Sequence, residues 1–535
     1  MAKLDKKSDV LPALSVRGPE LRTSLRIVNV GWMFGSVWMV AIGGATMLNL
    51  GYLAGFTELH WGLLSATMFA STLAQLPASW LIERTGLRKG QFVRAGTVSR
   101  ALWALVGLAP VALLLAGPSP GLRTFIAWAV LVIIFSSRVL DHMGAPAWIN
   151  WMADLIPPRL RARLFARRAV YSLICQGAAT VAIGLLLDAV IPRETRVQLK
   201  QLQVTASQIP ALVWTLLAIF TVAGIVGVID IRLFRRVREI VRKRPPAPIS
   251  IWQVVREPLG DRQFRHFAGG FAIMAFGTAM AMPFFALAAQ RHLHFDNLQT
   301  MLVLAVCPPV GSLLSSRFWG GAIDRWGRRP ILVLCMMGVA MVPVGWLFLP
   351  PRMPMLAGLH NVFSGIVWQG LNMARLNMEL SFADAKGRST YTAAMNVSIA
   401  LTGTLGGILG GILAGTIKGW TTTLGPLTFG HYHVMFMLCG LFRMIGAGAL
   451  LRMTDAQAKP VAYVARQMAV SVLLSAPMNL IRPITRLRLP GGWLRRGVGG
   501  PGVKKVSSRS TETKRWPPKS KPSTGSPTRK KCDTA

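Results

Sequence analysis

Acidic residues are scarce in this chain. Its 535 residues carry 20 Asp and Glu against 60 Lys and Arg, a formal net charge of +40. In a soluble protein that balance points to nucleic acid, yet no Cys/His finger and no basic module interleaved with aromatics occurs. The basic residues sit in turns between apolar runs and in the C-terminal tail, where orientation in a bilayer needs them. Nucleic acid is therefore not an expected partner. Cysteine is scarce too: Cys175, Cys307, Cys335, Cys439 and Cys532 are scattered, four of them in apolar runs, and none forms a Cys-x-x-Cys. They read as small apolar packers without a disulfide framework. The phosphate-cradling loop Gly-x-x-x-x-Gly-Lys-Ser/Thr is missing, which argues against ATP-driven work within this chain. The first apolar run, after a polar and basic stretch Met1 to Arg26, lacks a small-residue cleavage site and reads as a retained span.

Hydrophobicity is what the chain has in excess. It is 52% hydrophobic with mean hydropathy +0.45, too apolar for a soluble protein of this length. Many runs approach the roughly 20 residues that cross a bilayer as a helix. Twelve spans can be drawn, near 28–54, 60–82, 95–116, 124–146, 169–191 and 209–232, then 266–290, 297–323, 331–349, 354–380, 390–417 and 431–452. Basic residues follow every even-numbered span, as with Arg84, Arg88 and Lys89, or Arg235, Arg236 and Arg238, so both termini are expected in the cytoplasm. The outer loop Arg193 to Lys200 is the basic exception.

One turn organises the rest. Gly320-Gly321-Ala322-Ile323-Asp324-Arg325-Trp326-Gly327-Arg328-Arg329-Pro330 lies between two apolar runs, and a degraded copy, Glu83-Arg84-Thr85-Gly86-Leu87-Arg88-Lys89, lies between two others. The pattern Gly-x-x-x-Asp-Arg-x-Gly-Arg-Arg resembles the signature loop of the major facilitator superfamily, which joins the second and third helices of each six-helix half. A second repeat supports the halves. Asp154-Leu155 runs to Arg161-Ala162-Arg163, and Glu379-Leu380 runs over the same spacing to Lys386-Gly387-Arg388. This resembles the acid-x-x-Pro-x-x-x-Arg-Gly loop of many facilitators, with Ala162 replacing Gly in the first copy and no Pro in the second.

The resemblance implies an all-α membrane protein of twelve transmembrane helices in two pseudo-symmetric six-helix bundles. The domains are then a cytoplasmic N-terminus 1–27, an N-terminal bundle 28–232, a cytoplasmic Pro-rich linker 233–265 with an interfacial helix near Ile251 to Glu257, a C-terminal bundle 266–452, and a basic tail 453–535. That tail is expected to be surface-associated over Val461 to Leu489 and largely disordered beyond. The resemblance also implies a cytoplasmic gate in which signature-loop arginines pair with acids ending spans four and ten. Carried over, Arg84 and Arg88 would lie near Asp154, and Arg325 and Arg329 near Glu379. Asp324 would face the start of span eleven. Glu83, Gly86, Arg163, Gly327 and Arg388 complete the set.

Charges inside a span are costly and hence functional candidates. Span four holds Arg138, Asp141 and His142; spacing puts Arg138 and His142 on one face and lets Arg138 pair with Asp141. Many proton-coupled facilitators carry an Arg in span four within Arg-x-x-x-Gly, and here Gly144 is displaced. Span ten offers Gln369, Asn372 and Arg375 at three-residue intervals, roughly one face toward a cavity. Span one has no acid, span seven no charge until Arg291, and span five lacks the Gly-Pro pair of the drug–proton antiporter signature. The histidines His292, His294, His431 and His433 cluster at outer span ends, where interfacial helices favour His, and no metal or cofactor is expected. The reading is a secondary transporter of a small solute by alternating access, proton-coupled, not an enzyme, monomeric, and located in a bacterial inner membrane, with the basic tail near anionic lipid headgroups. Arg138 and Arg375 favour an anionic or zwitterionic solute. The alternatives are a facilitator-like receptor or assembly factor that moves nothing, and an integral-membrane transferase.

Overall fold

The computed structural model describes residues 18–239 and 258–475, apart from 87, 118, 387, 425–426 and 456–457. Backbone polar groups have no water partner inside lipid, so an apolar chain of this composition satisfies them as helices. Span one is α1 (Pro19–Ala41) with α2 (Gly44–Leu53), and span two is α3 (Glu58–Ala70) with α4 (Gln75–Thr85). Spans three to five are α5 (Arg88–Leu115), α6 (Pro120–Leu155) and α7 (Pro158–Val190). A short helix α8 (Arg193–Lys200) precedes span six, α9 (Pro210–Leu233). Span seven is α10 (Arg262–Arg291), and span eight is α11 (Asn297–Met301), a π-helical turn Leu302–Val306 and α12 (Cys307–Trp326). The last four spans are α13 (Arg328–Gly345), α14 (Pro354–Lys386), α15 (Arg388–Thr416) and α16 (His431–Leu451), followed by α17 (Val461–Ser475).

Ten of these are long and apolar enough to cross a membrane by length and composition. The other two are spans two and ten. Span two is interrupted by a 3-10 turn at Ser71–Ala74. Pro77 supplies no N–H to residue 73 and crowds its carbonyl, while Ser71 and Thr72 bond back to Met68 O and Phe69 O at 3.3 and 2.6 Å. Span ten is a continuous helix made polar by Gln369, Asn372, Arg375, Asn377 and Glu379. Several helices begin at a proline, which has no N–H to lose there: Pro19, Pro120, Pro158 and Pro210.

Helices run past the apolar windows. Span one starts at Pro19, span five at Pro158, and span ten continues to Lys386, because a helix persists into water once its centre is fixed in lipid. Two elements between spans escaped the sequence. The basic loop Arg193 to Lys200 is helical, as α8, and an antiparallel hairpin, β1 (Thr421–Leu424) with β2 (Leu427–Gly430), links spans eleven and twelve in register Thr421↔Gly430 and Leu424↔Leu427. Residues 240–257 of the expected linker, with its interfacial helix, lie outside the described residues, as does the tail beyond 475. The tail's described part is the helix α17, whose Val464 is buried and whose Val461 and Met468 pack on the C-terminal core.

Spans one, three, four, five and six pack mainly on one another, as do spans seven, nine and twelve with ten beside nine, while span eleven packs along both spans seven and two. The hydrophobic core shows how the halves meet. At the end bearing the β-hairpin, one continuous cluster joins Tyr52, Phe56 and Phe220 of the first half to Phe284, Phe295 and Phe436 of the second. At the opposite end, bearing the charged loops, the clusters are separate: Trp151, Leu155 and Phe234 in the first half, Phe264, Trp319 and Trp326 in the second.

Candidate functional site

Between the halves lies a cavity of about 620 Å³. Trp32 of α1 and Arg168, Ser172 and Gln176 of α7 line one wall; Ser312 and Ser316 of α12 and Gln369 of α14 line the other. The small hydroxyls leave room, and one cation dominates. Arg168 is clamped over Trp32 at 3.8 Å and beside Trp148 at 4.8 Å, so its guanidinium is held by aromatic faces. Ser36 and Ser172 join spans one and five at 2.7 Å.

Behind this wall stands a charge cluster. Arg100 of α5 donates to Asp141 Oδ1 at 2.9 Å and stacks on Trp38 at 3.5 Å. Arg100 is buried, whereas the Asp141 side chain is 44% exposed. Asp230 of α9 is buried within electrostatic reach of Arg100, Arg168 and Asp141. Span one, which has no acid of its own, receives this one: a Cβ on Gly35 would sit 2.7 Å from Asp230 Oδ2, so Gly35 makes the space for the carboxylate. Arg138, by spacing the partner of Asp141, does not hydrogen-bond to it. The neighbouring span wins because Trp38 fixes the Arg100 guanidinium beside Asp141, and Arg138 Nε is left without a hydrogen bond. His142 Nδ1 meets Gln75 Nε2 at 3.0 Å.

In the second half, Gln369 reaches the cavity, but Arg375 pairs with Glu379 at 2.6 Å one helical turn away. Arg375 is thereby neutralised in this state, and Glu379 is taken from the signature-loop arginines. Asn372 is exposed. Arg443 of α16 is different. It is 3% exposed, donates to Val339 O at 3.0 Å and Thr278 Oγ1 at 3.2 Å, lies by Trp368, and has no ion pair among the described residues. Arg100, Arg168, Asp230 and Arg443 were all missed from the sequence. The rule that singled out span four applies equally to Arg100, Asp230 and Arg443, which lie inside the drawn spans.

At the charged-loop end none of the ion pairs among the described residues joins the first half to the second. Arg88 donates to Asp154 at 2.6 Å, and Glu239 accepts from the N–H groups of Arg88 and Lys89 at 3.0 and 2.8 Å, capping α5. Arg84 lies over Trp80, and Arg163 is exposed. In the second copy, Arg325 lies over Trp326, Arg328 is 3.8 Å from Asp455, and Arg329 donates to Leu451 O at 2.7 Å. Neither Arg325 nor Arg329 meets Glu379. Asp324 is exposed with no ion pair among the described residues. Gly86 and Gly327 end their helices at φ +69° and +91°, which other residues rarely adopt. The side chains of Glu83 and Arg388 lie outside the described residues.

At the hairpin end the pairs cross. Arg291 of α10 donates to Glu58 of α3 at 3.1 Å and to Tyr432 Oη at 2.9 Å; Glu58 is 2% exposed. Arg196 of α8 donates to Asp296 at 2.8 Å. Asp188 of α7 accepts from Asn297 N at 3.1 Å, Asn297 Nδ2 at 3.0 Å and Leu298 N at 3.0 Å, an anion from one half set on the helix start of the other. Span eleven closes the same seam: a Cβ on Gly407 would fall 2.6 Å from Ala66 N.

The fold recurs among solved transporters. The chain matches a bacterial homolog of the human lysosomal transporter Spinster, in an inward-facing and occupied conformation, with TM-score 0.58 at 14% identity over 83% of this chain and 99% of that one. A D-xylose-proton symporter matches with TM-score 0.56 at 12% identity over 82% and 99%. The nucleoside transporter NupG matches with TM-score 0.53 at 11% identity over 81% and 98%. Residues 267–494 match the family model described as Major Facilitator Superfamily. Over residues 267–494 the chain is similar to that superfamily, and its fold is shared with the solved transporters. No curated protein matches it in sequence. Together with ten helices of membrane-crossing length and composition, this likeness marks a multi-pass membrane protein. Among the described residues no group of three or more His, Cys, Asp and Glu could hold a metal ion.

Proposed function

We propose that this facilitator is a secondary transporter working by alternating access, with the charged-loop end in the cytoplasm and the solute bound in the cavity beside Arg168. One observation carries the reading: the halves share a core at one end and have separate cores at the other, with a cavity lined by both between them. A solute there reaches one side only, and rocking the halves would expose the other. The halves 28–232 and 266–452 are the moving bodies. Arg88 with Asp154 is a latch ready to meet the opposite half when the cytoplasmic end closes.

The proton site is read as the pair of carboxylates that share Arg100. Asp141 holds it now, and Asp230 waits within reach. Protonating Asp141 would release Arg100 toward Asp230, changing the contact between spans four and three without leaving a bare charge in the core. The protein acts as a monomer in a bacterial inner membrane.

The test is solute uptake into proteoliposomes under an imposed pH gradient, with internal pH recorded. Solute-dependent proton movement should appear with wild type and vanish in Asp141→Asn while solute exchange survives. Wild type moving no solute from a broad panel would favour a receptor or assembly factor instead. Coupling that persists in both Asp141→Asn and Asp230→Asn would place the proton elsewhere.

A further inference from the structure

The hairpin end carries the one break in the charge asymmetry of the chain. Outer loops of a membrane protein are normally poor in Lys and Arg. Here a vestibule of about 1370 Å³ is lined by six basic side chains against two acids. Both acids are already engaged: Asp188 by the N–H groups of Asn297 and Leu298, and Asp296 by Arg196. Three of the cations are structural. Arg196 holds Asp296, Arg291 holds Glu58, and Lys200 donates to Phe295 O at 3.1 Å. The other three, Arg193, Arg352 and Lys418, are exposed and make no side-chain hydrogen bond or ion pair among the described residues.

Backbone strain gathers at the same place. Among the described residues three non-glycine residues have φ in the left-handed region, Leu202 at 62°, His294 at 58° and Arg352 at 60°. All three line this vestibule. Such conformations persist only where the surroundings over-determine them, and they concentrate at binding sites. Arg352 is pinned there by its own N–H, which donates to Leu293 O at 2.9 Å. The helix α8 that supplies Arg193, Arg196 and Lys200 is anchored by the buried Leu199. The basic groups therefore come from four separate segments of both halves and converge on one bowl.

We infer that this vestibule captures small anions bearing at least two negative charges, as carboxylates or phosphates, and that such anions are the solute this transporter moves. The inference rests on the transport reading for its second half only. Convergent, unpaired cations suit a multiply charged anion, since the guanidinium fork matches carboxylate and phosphate oxygens. Capture also acts on the closure. Asp296 is 44% exposed at the vestibule floor, and a bound anion competes with it for Arg196. Drawing Arg196 away loosens a contact that joins the halves, so the substrate that docks here favours the opening it needs. Inside, Arg168 offers the next positive charge.

The test uses the purified full-length chain in detergent, titrated calorimetrically with citrate, inorganic phosphate, short-chain phosphatidylglycerol and uncharged mannitol. Citrate should bind saturably and mannitol should not. The triple variant Arg193→Gln, Arg352→Gln, Lys418→Gln should weaken citrate at least tenfold with an unchanged melting temperature, since all three side chains are exposed. In proteoliposomes the same variant should raise the KM for citrate uptake several-fold and leave the maximal rate near that of wild type. Citrate binding equally to both proteins, or not at all, would overturn the inference. Phosphatidylglycerol binding without citrate or phosphate binding would also overturn it, by making the bowl a lipid headgroup site. Uptake of only neutral solutes, untouched by the variant, would sink the substrate class while leaving the transporter reading intact. Citrate binding lost in the variant, with no solute moved by wild type, would keep the capture site and sink the transporter reading.

Discussion

At the hairpin end, Arg196 reaches from the first half to Asp296 in the second, and Arg291 reaches back to Glu58. At the charged-loop end, Arg88 finds Asp154 within the first half, and Arg328 approaches Asp455 just past the end of the second. The chemistry is the same, but the topology differs. A pair that crosses the halves must break when they separate, whereas a pair within a half travels with it. One crossing pair also holds the most buried carboxylate of the four: Glu58 is 2% exposed and sits by a core that both halves share. What distinguishes a closed end from an open one here is therefore which half the partner belongs to, together with a continuous apolar core, and not the number of charges.

The largest effect should come from breaking the most buried crossing pair. Arg291→Ala leaves Glu58 without its cation, a loss of about 3–5 kcal/mol for a buried pair. A cysteine placed at Ser65, buried on the seam where its hydroxyl meets Ala279 O at 2.8 Å, should then be alkylated at least tenfold faster than in the parent. An unchanged alkylation rate would mean that the pair does not hold the end shut.

Next in size is the support of the buried acid. Gly35→Ala pushes a methyl against Asp230, and overpacking of this kind costs about 1–3 kcal/mol. The melting temperature should fall, and adding Asp230→Gly should restore part of it. Failure of the second change to rescue would show that Gly35 is needed for helix approach and not for the carboxylate.

Arg443 sharpens the contrast between the halves, because the first half neutralises its buried arginine and the second does not. Arg443→Met should raise the melting temperature, since an apolar side chain replaces an unpaired buried charge, while slowing solute uptake if the charge serves the solute. A lower melting temperature would show that its bonds to Val339 O and Thr278 outweigh its burial. The smallest effect belongs to Arg84→Gln. Arg84 is exposed and only stacks on Trp80, so stability should change by no more than about 0.5 kcal/mol in thermal unfolding.

Much of the fold was legible in the sequence, for physical reasons. Apolar runs of bilayer length reveal spans without any tertiary information, and the repeated turns Glu83–Lys89 and Gly320–Pro330 reveal two halves. Span ends were less legible, because helices such as Pro158–Val190 extend through Arg161, Arg163 and Arg167, residues that an apolar window rejects. Pairing was least legible. Spacing along one helix favoured Arg138 for Asp141 and could not anticipate Arg100, which arrives from another helix and is fixed by Trp38. Arg375 is the reverse case: its partner Glu379 lies one turn on in the same helix, and the expected pairing of Glu379 with Arg325 or Arg329 does not form. The crossing pairs at the hairpin end carried no motif at all, although the odd basic loop Arg193 to Lys200 marked their position.

The most direct test measures both ends at once. In a background lacking the five cysteines, spin labels at Val197 and Met355 would report the hairpin end, and labels at Arg163 and Arg325 the charged-loop end; all four sites are exposed. Pulsed dipolar distances would be compared between the parent and Asp188→Ala, which removes the acceptor that seats span eight on span five. The account predicts that the hairpin-end distance lengthens as the charged-loop distance shortens. Distances that change at one end only, or that lengthen together, would contradict alternating access between these two ends.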